Sequence, residues 1–226
     1  MSLSSLPTEL TQLIASFIRK DADLNSLVLV NLTHYHRLNH ILYEHTNIDF
    51  VDPNHHRTLL SWAAYHGQED RVKCLIESGK FDVNHEDDME QTPLHLAALQ
   101  GHSGVVALLL QSRDIDIQPR DQLNQTPLLL AAGANHESIV TMLLEAGDAG
   151  VNADDCESGY TALMWAVTND NKIMLKQLLE VKNIDLSITD IYGRTALDIA
   201  VDGGRKTEAN MIRRAARRQR AQARGN

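Results

Sequence analysis

Aromatic residues are scarce in this chain: Phe, Trp and Tyr together make up 4% of its 226 residues. A core with so few large rings must be assembled from Leu, Ile, Val and Ala, which favours small, repeated packing units over one large centre. Cysteine occurs twice, at Cys74 and Cys156. Two distant thiols make neither a disulfide framework nor a four-ligand zinc site. No apolar run approaches the roughly 18 residues of a membrane helix. The amino terminus lacks the basic stretch followed by an apolar one that a secretory signal carries. These absences point to an intracellular protein, cytoplasmic or nuclear, with reduced thiols and no membrane partner.

Catalytic signatures are missing as well. The chain contains no G-x-G-x-x-G, no G-x-x-x-x-G-K, no H-E-x-x-H and no G-x-S-x-G. His34, His36, His40, His45, His55 and His56 cluster in sequence, and the spacing of His36 and His40 suits a two-His metal pair. No nearby Cys completes such a site, and both residues read more simply as the polar face of a packed helix. Glu86, Asp87, Asp88 and Glu90 form an acidic run without the alternating ligands and central Gly of a calcium loop, so a solvated or partner-facing loop is expected. The sequence implies no enzyme, no metal and no cofactor.

Charge is unevenly placed. Residues 205–226 hold eight Lys/Arg against Glu208, a balance of +7, which leaves 13 basic and 29 acidic groups, or −16, for the rest. An acidic body with a short basic tail does not suit a nucleic-acid-binding face. The tail reads as the second helix of a last repeat, Met211 and Ile212 inward, running into a polar end; the other reading is a nuclear-import or anionic-partner segment.

What is present is a period. Thr58, Thr92, Thr126, Thr161 and Thr195 each precede an apolar run, at intervals of 34, 34, 35 and 34 residues. Each Thr suits a helix N-cap, and Pro93 and Pro127 suit the first helical position. Nine residues after each Thr stands Gly67, Gly101, Asn135, Asp170 or Gly204, the residue types that tolerate a left-handed backbone where a short helix ends. A second helix follows with apolar residues three and four apart (Val105, Val106, Leu108, Leu109; Ile139, Val140, Leu143, Leu144). β-Favouring tracts at 81–84, 115–117, 150–152 and 184–186 then lead into polar, hairpin-like fingers. One unit alone cannot bury its apolar face; stacked neighbours gain roughly 2 kcal/mol per fully buried Leu or Ile before entropy costs.

The segment Thr92-Pro-Leu-His-Leu-Ala-Ala98, with Gly101-His-Ser-Gly-Val-Val-Ala-Leu-Leu-Leu110, resembles an ankyrin repeat. The resemblance implies an all-α solenoid of about five helix-pair repeats over residues 47–215, with a basic tail at 216–226. In that family the Thr and His of this motif hydrogen-bond within the repeat. Only Thr92 and His95 retain both, the equivalents of His95 being Ser61, Leu129, Met164 and Asp198, so the other units are expected to lean more on their neighbours. Family partners lie in the groove formed by finger tips and first helices. The register carries that groove onto Tyr65, His66, Met89, Glu90, Leu99, Gln100, Leu123, Gln125, Tyr160, Thr168, Asn169, Tyr192 and Arg194. Acidic residues nearby (Asp88, Glu157, Asp190) suggest a basic or mixed partner segment.

Residues 1–46 follow another pattern. Leu6-Pro7-x-Glu9-Leu10-x-x-Leu13-Ile14, then Asp23-Leu24-x-x-Leu27-x-x-Val30, resembles an F-box, the three-helix segment that docks on the Skp-type adaptor of SCF-type cullin–RING ubiquitin ligases. The resemblance maps adaptor contacts onto Leu6, Pro7, Leu10, Ile14, Leu24, Leu27 and Val30. A simpler role for these helices is to cap the first repeat. The chain thus reads as a protein-interaction adaptor: a ubiquitin-ligase substrate receptor on the first view, an ankyrin scaffold or inhibitor on the second.

Overall fold

The structure, a computed structural model, describes residues 57–147 and 149–225. Among them are ten α-helices and no strand. They are α1 (Leu59–Tyr65), α2 (Glu69–Ser78), α3 (Pro93–Gln100), α4 (Ser103–Leu109), α5 (Pro127–Gly133), α6 (Glu137–Ala146), α7 (Ala162–Thr168), α8 (Lys172–Glu180), α9 (Ala196–Asp202) and α10 (Lys206–Gly225).

Every odd-numbered helix starts the same way. The Thr hydroxyl accepts the N–H of the residue three further on: Ser61 at 3.1 Å, His95 at 3.4 Å, Leu129 at 3.3 Å, Met164 at 3.4 Å and Asp198 at 3.3 Å. That bond satisfies one of the N–H groups a helix start leaves without a partner. Each helix then ends in a turn whose left-handed residue is the expected one: φ is +67° at Gly67, +81° at Gly101, +62° at Asn135, +54° at Asp170 and +68° at Gly204. A side chain at Gly67 would meet the His102 ring at 2.6 Å, so space as well as backbone conformation calls for glycine there.

Successive odd helices pack on one another, as do successive even helices, which makes two parallel rows. The shared interior repeats with the sequence. Leu60, Leu94, Leu128 and Leu163 are fully buried, and so are Ala64, Ala98, Ala132 and Val167 in the next helical turn. Polar bonds tie the rows at the same interval. His102 Nε2 donates to the Tyr65 carbonyl at 3.0 Å, His136 Nε2 to that of Leu99 at 3.1 Å, and the Arg205 guanidinium to those of Val167 and Thr168. Each closes the carboxyl end of the preceding unit's first helix, where carbonyls lack intrahelical partners.

Three details differ from the sequence reading. The β-favouring tracts form turns and irregular backbone rather than strands, and Asp154 with Thr161 and Thr189 with Thr195 make isolated bridges. An apolar side chain every second residue can anchor a turn as well as a strand when the tract is this short. The Thr–His pair also has substitutes. Asp198 Oδ2 accepts the Thr195 N–H at 2.9 Å, repeating the capping box made by His95, and the Ser61 hydroxyl lies 2.9 Å from that of Thr58. Only Leu129 and Met164 have no polar atom to offer, and both side chains are buried apolar filling. Finally, α10 runs without a break from Lys206 to Gly225, with Gln219 donating to the Ile184 carbonyl at 2.9 Å.

Candidate protein-binding surface

The loops between units are built around one carboxylate each. Asp87, Asp121, Asp155 and Asp190 follow at intervals of 34, 34 and 35 residues, and all four are buried. Asp121 Oδ1 accepts the N–H groups of Leu123 at 3.0 Å and Gln125 at 2.9 Å. Asp87 does the same for Met89 and Gln91, and Asp190 for Tyr192 and Arg194. The second carboxylate oxygen is occupied too: by Arg57 Nε on Asp87, Gln91 Nε2 on Asp121, Ser158 Oγ on Asp155 and Arg194 Nε on Asp190. A buried carboxylate persists when backbone donors and a charge or hydroxyl replace its water.

The single 35-residue interval has its cause here. Five positions separate Asp87 from Thr92, Asp121 from Thr126 and Asp190 from Thr195, but six separate Asp155 from Thr161. The extra residue widens the third of these fingers, whose turn closes through Gly159 N to Asp155 O at 3.0 Å. Its counterparts close one residue earlier, as in Asn124 N to Asp121 O at 2.8 Å.

Finger tips are also bonded to one another: Gln122 N donates to Met89 O, Cys156 N to Leu123 O and Ile191 N to Ser158 O, each at 3.0–3.1 Å. The result is a continuous polar ribbon carrying exposed apolar side chains. Met89 is 52% exposed, Leu123 37%, Ile191 61% and Tyr192 75%. Apolar groups this exposed on a fixed backbone are what an interaction surface presents. Glu90 is exposed beside Met89, while Gln125 and Arg194 are half-buried at the finger bases.

The first helices contribute the other flank. His66 and Gln100 are exposed; Tyr65, Leu99, Thr168 and Asn169 are half-buried. Asn169 Nδ2 donates to the Ala132 carbonyl at 3.0 Å, so this residue closes helix α5 as well as facing outward. Tyr160 packs edge-on against Trp165 with ring centres 5.1 Å apart. Trp165 and Trp62 are absent from the sequence-based set. Each stands four residues after its Thr, at a position filled elsewhere by Leu96, Leu130 and Ile199. Spacings of three and four residues put Trp62 on one helix face with Tyr65 and His66, and Trp165 with Thr168 and Asn169. Trp62 stacks on His66 at 4.1 Å, and the Arg57 guanidinium lies 4.8 Å over the Tyr65 ring. A tryptophan in a register otherwise aliphatic is the signal that marks them.

The acidic character of this face is smaller than composition suggests. Asp88 and Glu157 are exposed, but Asp190 is only 4% exposed and pairs with Arg194 at 2.8 Å. Burial alone raises its pKa; the Arg194 N–H and guanidinium, with the Tyr192 N–H, outweigh burial and hold the carboxyl below its ordinary range. Asp190 therefore shapes a finger and does not present charge to a partner. Asp87 is likewise a finger-building group inside the acidic run. Elsewhere, burial pushes the His95 pKa down; the neutral ring accepts the Thr92 N–H at Nδ1 and donates from Nε2 to the Gln125 carbonyl.

Among the described residues no group of three His, Cys, Asp or Glu side chains is placed to hold a metal, and no helix is long and apolar enough to cross a membrane. The histidine cluster at 34–56 and the seven F-box-like positions lie outside the described residues.

Stacked, Thr-capped helix pairs with finger loops define a solenoid of the protein-binding kind. The chain belongs to the ankyrin-repeat family: the family model for ankyrin repeats (3 copies) matches residues 27–121 and 128–214. Ankyrin repeats are protein–protein interaction modules, and this chain carries such an interaction domain. The first matched span takes in Leu27 and Val30, and no F-box model matches. A search of curated proteins returns no match to the chain.

Proposed function

We propose that the chain is a target-recognition adaptor: the ribbon of finger tips and the adjoining first-helix face hold a protein target, and residues 1–46 dock a Skp-type adaptor of an SCF-type ubiquitin ligase. The row of exposed apolar tips, Met89, Leu123 and Tyr192, on fingers fixed by buried aspartates carries the first half. Preset backbone lowers the ordering cost of association, so such tips suit anchoring contacts, with Tyr65, Trp62 and Trp165 as aromatic neighbours. The Leu6-Pro7-x-Glu9-Leu10 opening supports the second half. The chain itself then performs no bond chemistry; it contributes proximity, bringing target and ligase together in the cytoplasm or nucleus.

A second reading has its own observation. The ankyrin match opens at residue 27, inside the F-box-like segment, which favours a plain ankyrin scaffold or inhibitor without a ubiquitin role. Mixing the purified chain with a Skp-type adaptor and following co-elution separates the two. The receptor reading expects a complex that is lost when Leu6 and Pro7 are changed to Ala and Leu10 to Glu. Absence of a complex with the unaltered chain leaves the scaffold.

A further inference from the structure

Basic residues of α10 meet α8 on the second-helix side of the stack, away from the finger ribbon. Between these helices lies a cleft of about 250 Å³ lined by Lys176, Leu179, Glu180, Met211, Arg214 and Arg218. Its lining joins two chemistries. Leu179 and Met211 are buried or half-buried and supply an apolar floor. Lys176, Arg214 and Arg218 are exposed and supply three cations. Arg214 and Arg218 stand four residues apart on one helix face, close enough to hold one carboxylate-bearing segment between them.

Among the described residues, little neutralises this charge. Glu180 is the one acid in the lining, and its pairing with Lys176 at 4.0 Å joins two side chains that are 58% and 71% exposed. Such a pair is weak and yields readily to a better partner. Glu208, the sole acid of α10, is buried and engaged with Lys172 at 3.2 Å. The helix is also anchored past the cleft by Gln219 on the Ile184 carbonyl, so the arginines stand on fixed backbone.

We infer that this cleft is a second docking site, which takes a short acidic segment of a protein partner with an apolar side chain next to its carboxylates. The volume falls below the roughly 300–1,000 Å³ of ordinary small-molecule pockets. It suits one or two side chains seated on Leu179 and Met211 while neighbouring carboxylates meet Arg214, Arg218 and Lys176. Lys176, Arg214 and Arg218 call for an anionic partner, and the aliphatic floor of Leu179 and Met211 beside them favours an acidic peptide with an apolar side chain over nucleic acid. The site stands on its own residues and does not depend on the ligase reading.

The test is fluorescence anisotropy with the full chain at near-physiological salt. The probe is a short fluorescein-labelled peptide of interleaved Glu and Leu, and a peptide of Glu and Gln and a single-stranded oligonucleotide serve as competitors. The site requires that Arg214→Gln with Arg218→Gln weaken the peptide by at least about tenfold. Arg213→Gln with Arg217→Gln, the same charge change outside the lining, should leave binding within about twofold. The Glu/Gln peptide should compete poorly. Circular dichroism melts of both variants check that each is folded. Equal weakening by the two pairs, tighter binding of the oligonucleotide, or no binding by the unaltered chain would each overturn the assignment. So would self-association abolished by Arg214→Gln with Arg218→Gln, which would make the cleft a contact between copies.

Discussion

His95 Nε2 lies 3.0 Å from the backbone carbonyl of Gln125, thirty residues further along the chain in the next finger. One imidazole thus closes its own helix start through Nδ1 and pins the following unit through Nε2. Only the neutral ring can do both, because a second proton would sit on Nδ1 where the Thr92 N–H already points.

A pH dependence follows. Burial lowers the folded-state pKa of His95 below its ordinary 6.5, so the unfolded chain takes up this proton first as pH falls. The contribution is complete above about pH 6.5 and is lost as pH drops from there toward the folded value. Carboxylates held low by hydrogen bonds, Asp185 through Ser187 and Asp198 through Thr195, act only below their ordinary 3.8. Urea unfolding across this range should therefore show a loss beginning near 6.5 that His95→Gln diminishes. An unchanged slope in the variant would assign the loss to other groups.

The finger carboxylates give a second expectation. Asp121→Ala removes the acceptor for Leu123 N–H, Gln125 N–H and Gln91 Nε2. Leaving part-buried donors without partners costs about 1–3 kcal/mol. Denaturant midpoints should place Asp121→Ala well below Glu157→Ala, whose side chain is exposed.

Two glycines separate backbone strain from crowding. Gly67 and Gly204 share a φ near +68°, yet an added Cβ meets the His102 ring at 2.6 Å in the first and nothing within 4 Å in the second. Gly204→Ala should cost about 1–2 kcal/mol from the left-handed backbone alone. Gly67→Ala should cost more and should also disturb the His102 bond to Tyr65. Thermal melts of the two variants, with the His102 ring followed by NMR, check both parts.

Much of this architecture is legible in the sequence because a repeat multiplies weak signals. One Thr before an apolar run is uninformative; five at a near-constant interval, each followed by a residue suited to positive φ, fix the helix pairs. The finger aspartates keep the same interval, yet their role is hidden in the sequence for a physical reason. Asp87 sits in an acidic run and Asp190 four residues before Arg194, so composition reads both as solvated charge, and only the turn geometry reveals that backbone N–H groups replace their water. The inserted position of the Asp155 finger is visible as a 35-residue step, but the step between threonines does not say which part of the unit absorbs it. Trp62 and Trp165 hide for a simpler reason: large apolar residues at buried-helix spacing look like core until the half-open face of the helix is seen.

The tips offer a contrast between stability and binding. Tyr192→Ala and Leu123→Ala change exposed side chains, so unfolding free energies should stay within about 0.5 kcal/mol of the unaltered chain. A partner held by the ribbon should lose about tenfold or more in affinity. If that partner is basic, exposed Asp88 and Glu157 attract it, and its binding should weaken as salt rises. Isothermal titration over a salt series checks both expectations, and strengthening with salt would exclude the electrostatic part.

The most direct measurement is site-specific photocrosslinking of the full chain in extract of its source cells. A photoreactive residue is placed in turn at Leu123, Tyr192, Lys73 and Glu145. A target gripped by the finger ribbon gives the same covalent adduct from Leu123 and Tyr192 and none from Lys73 or Glu145 on α2 and α6. Adducts arising from Lys73 and Glu145 but not from the tips would contradict the assignment of the ribbon as the binding face.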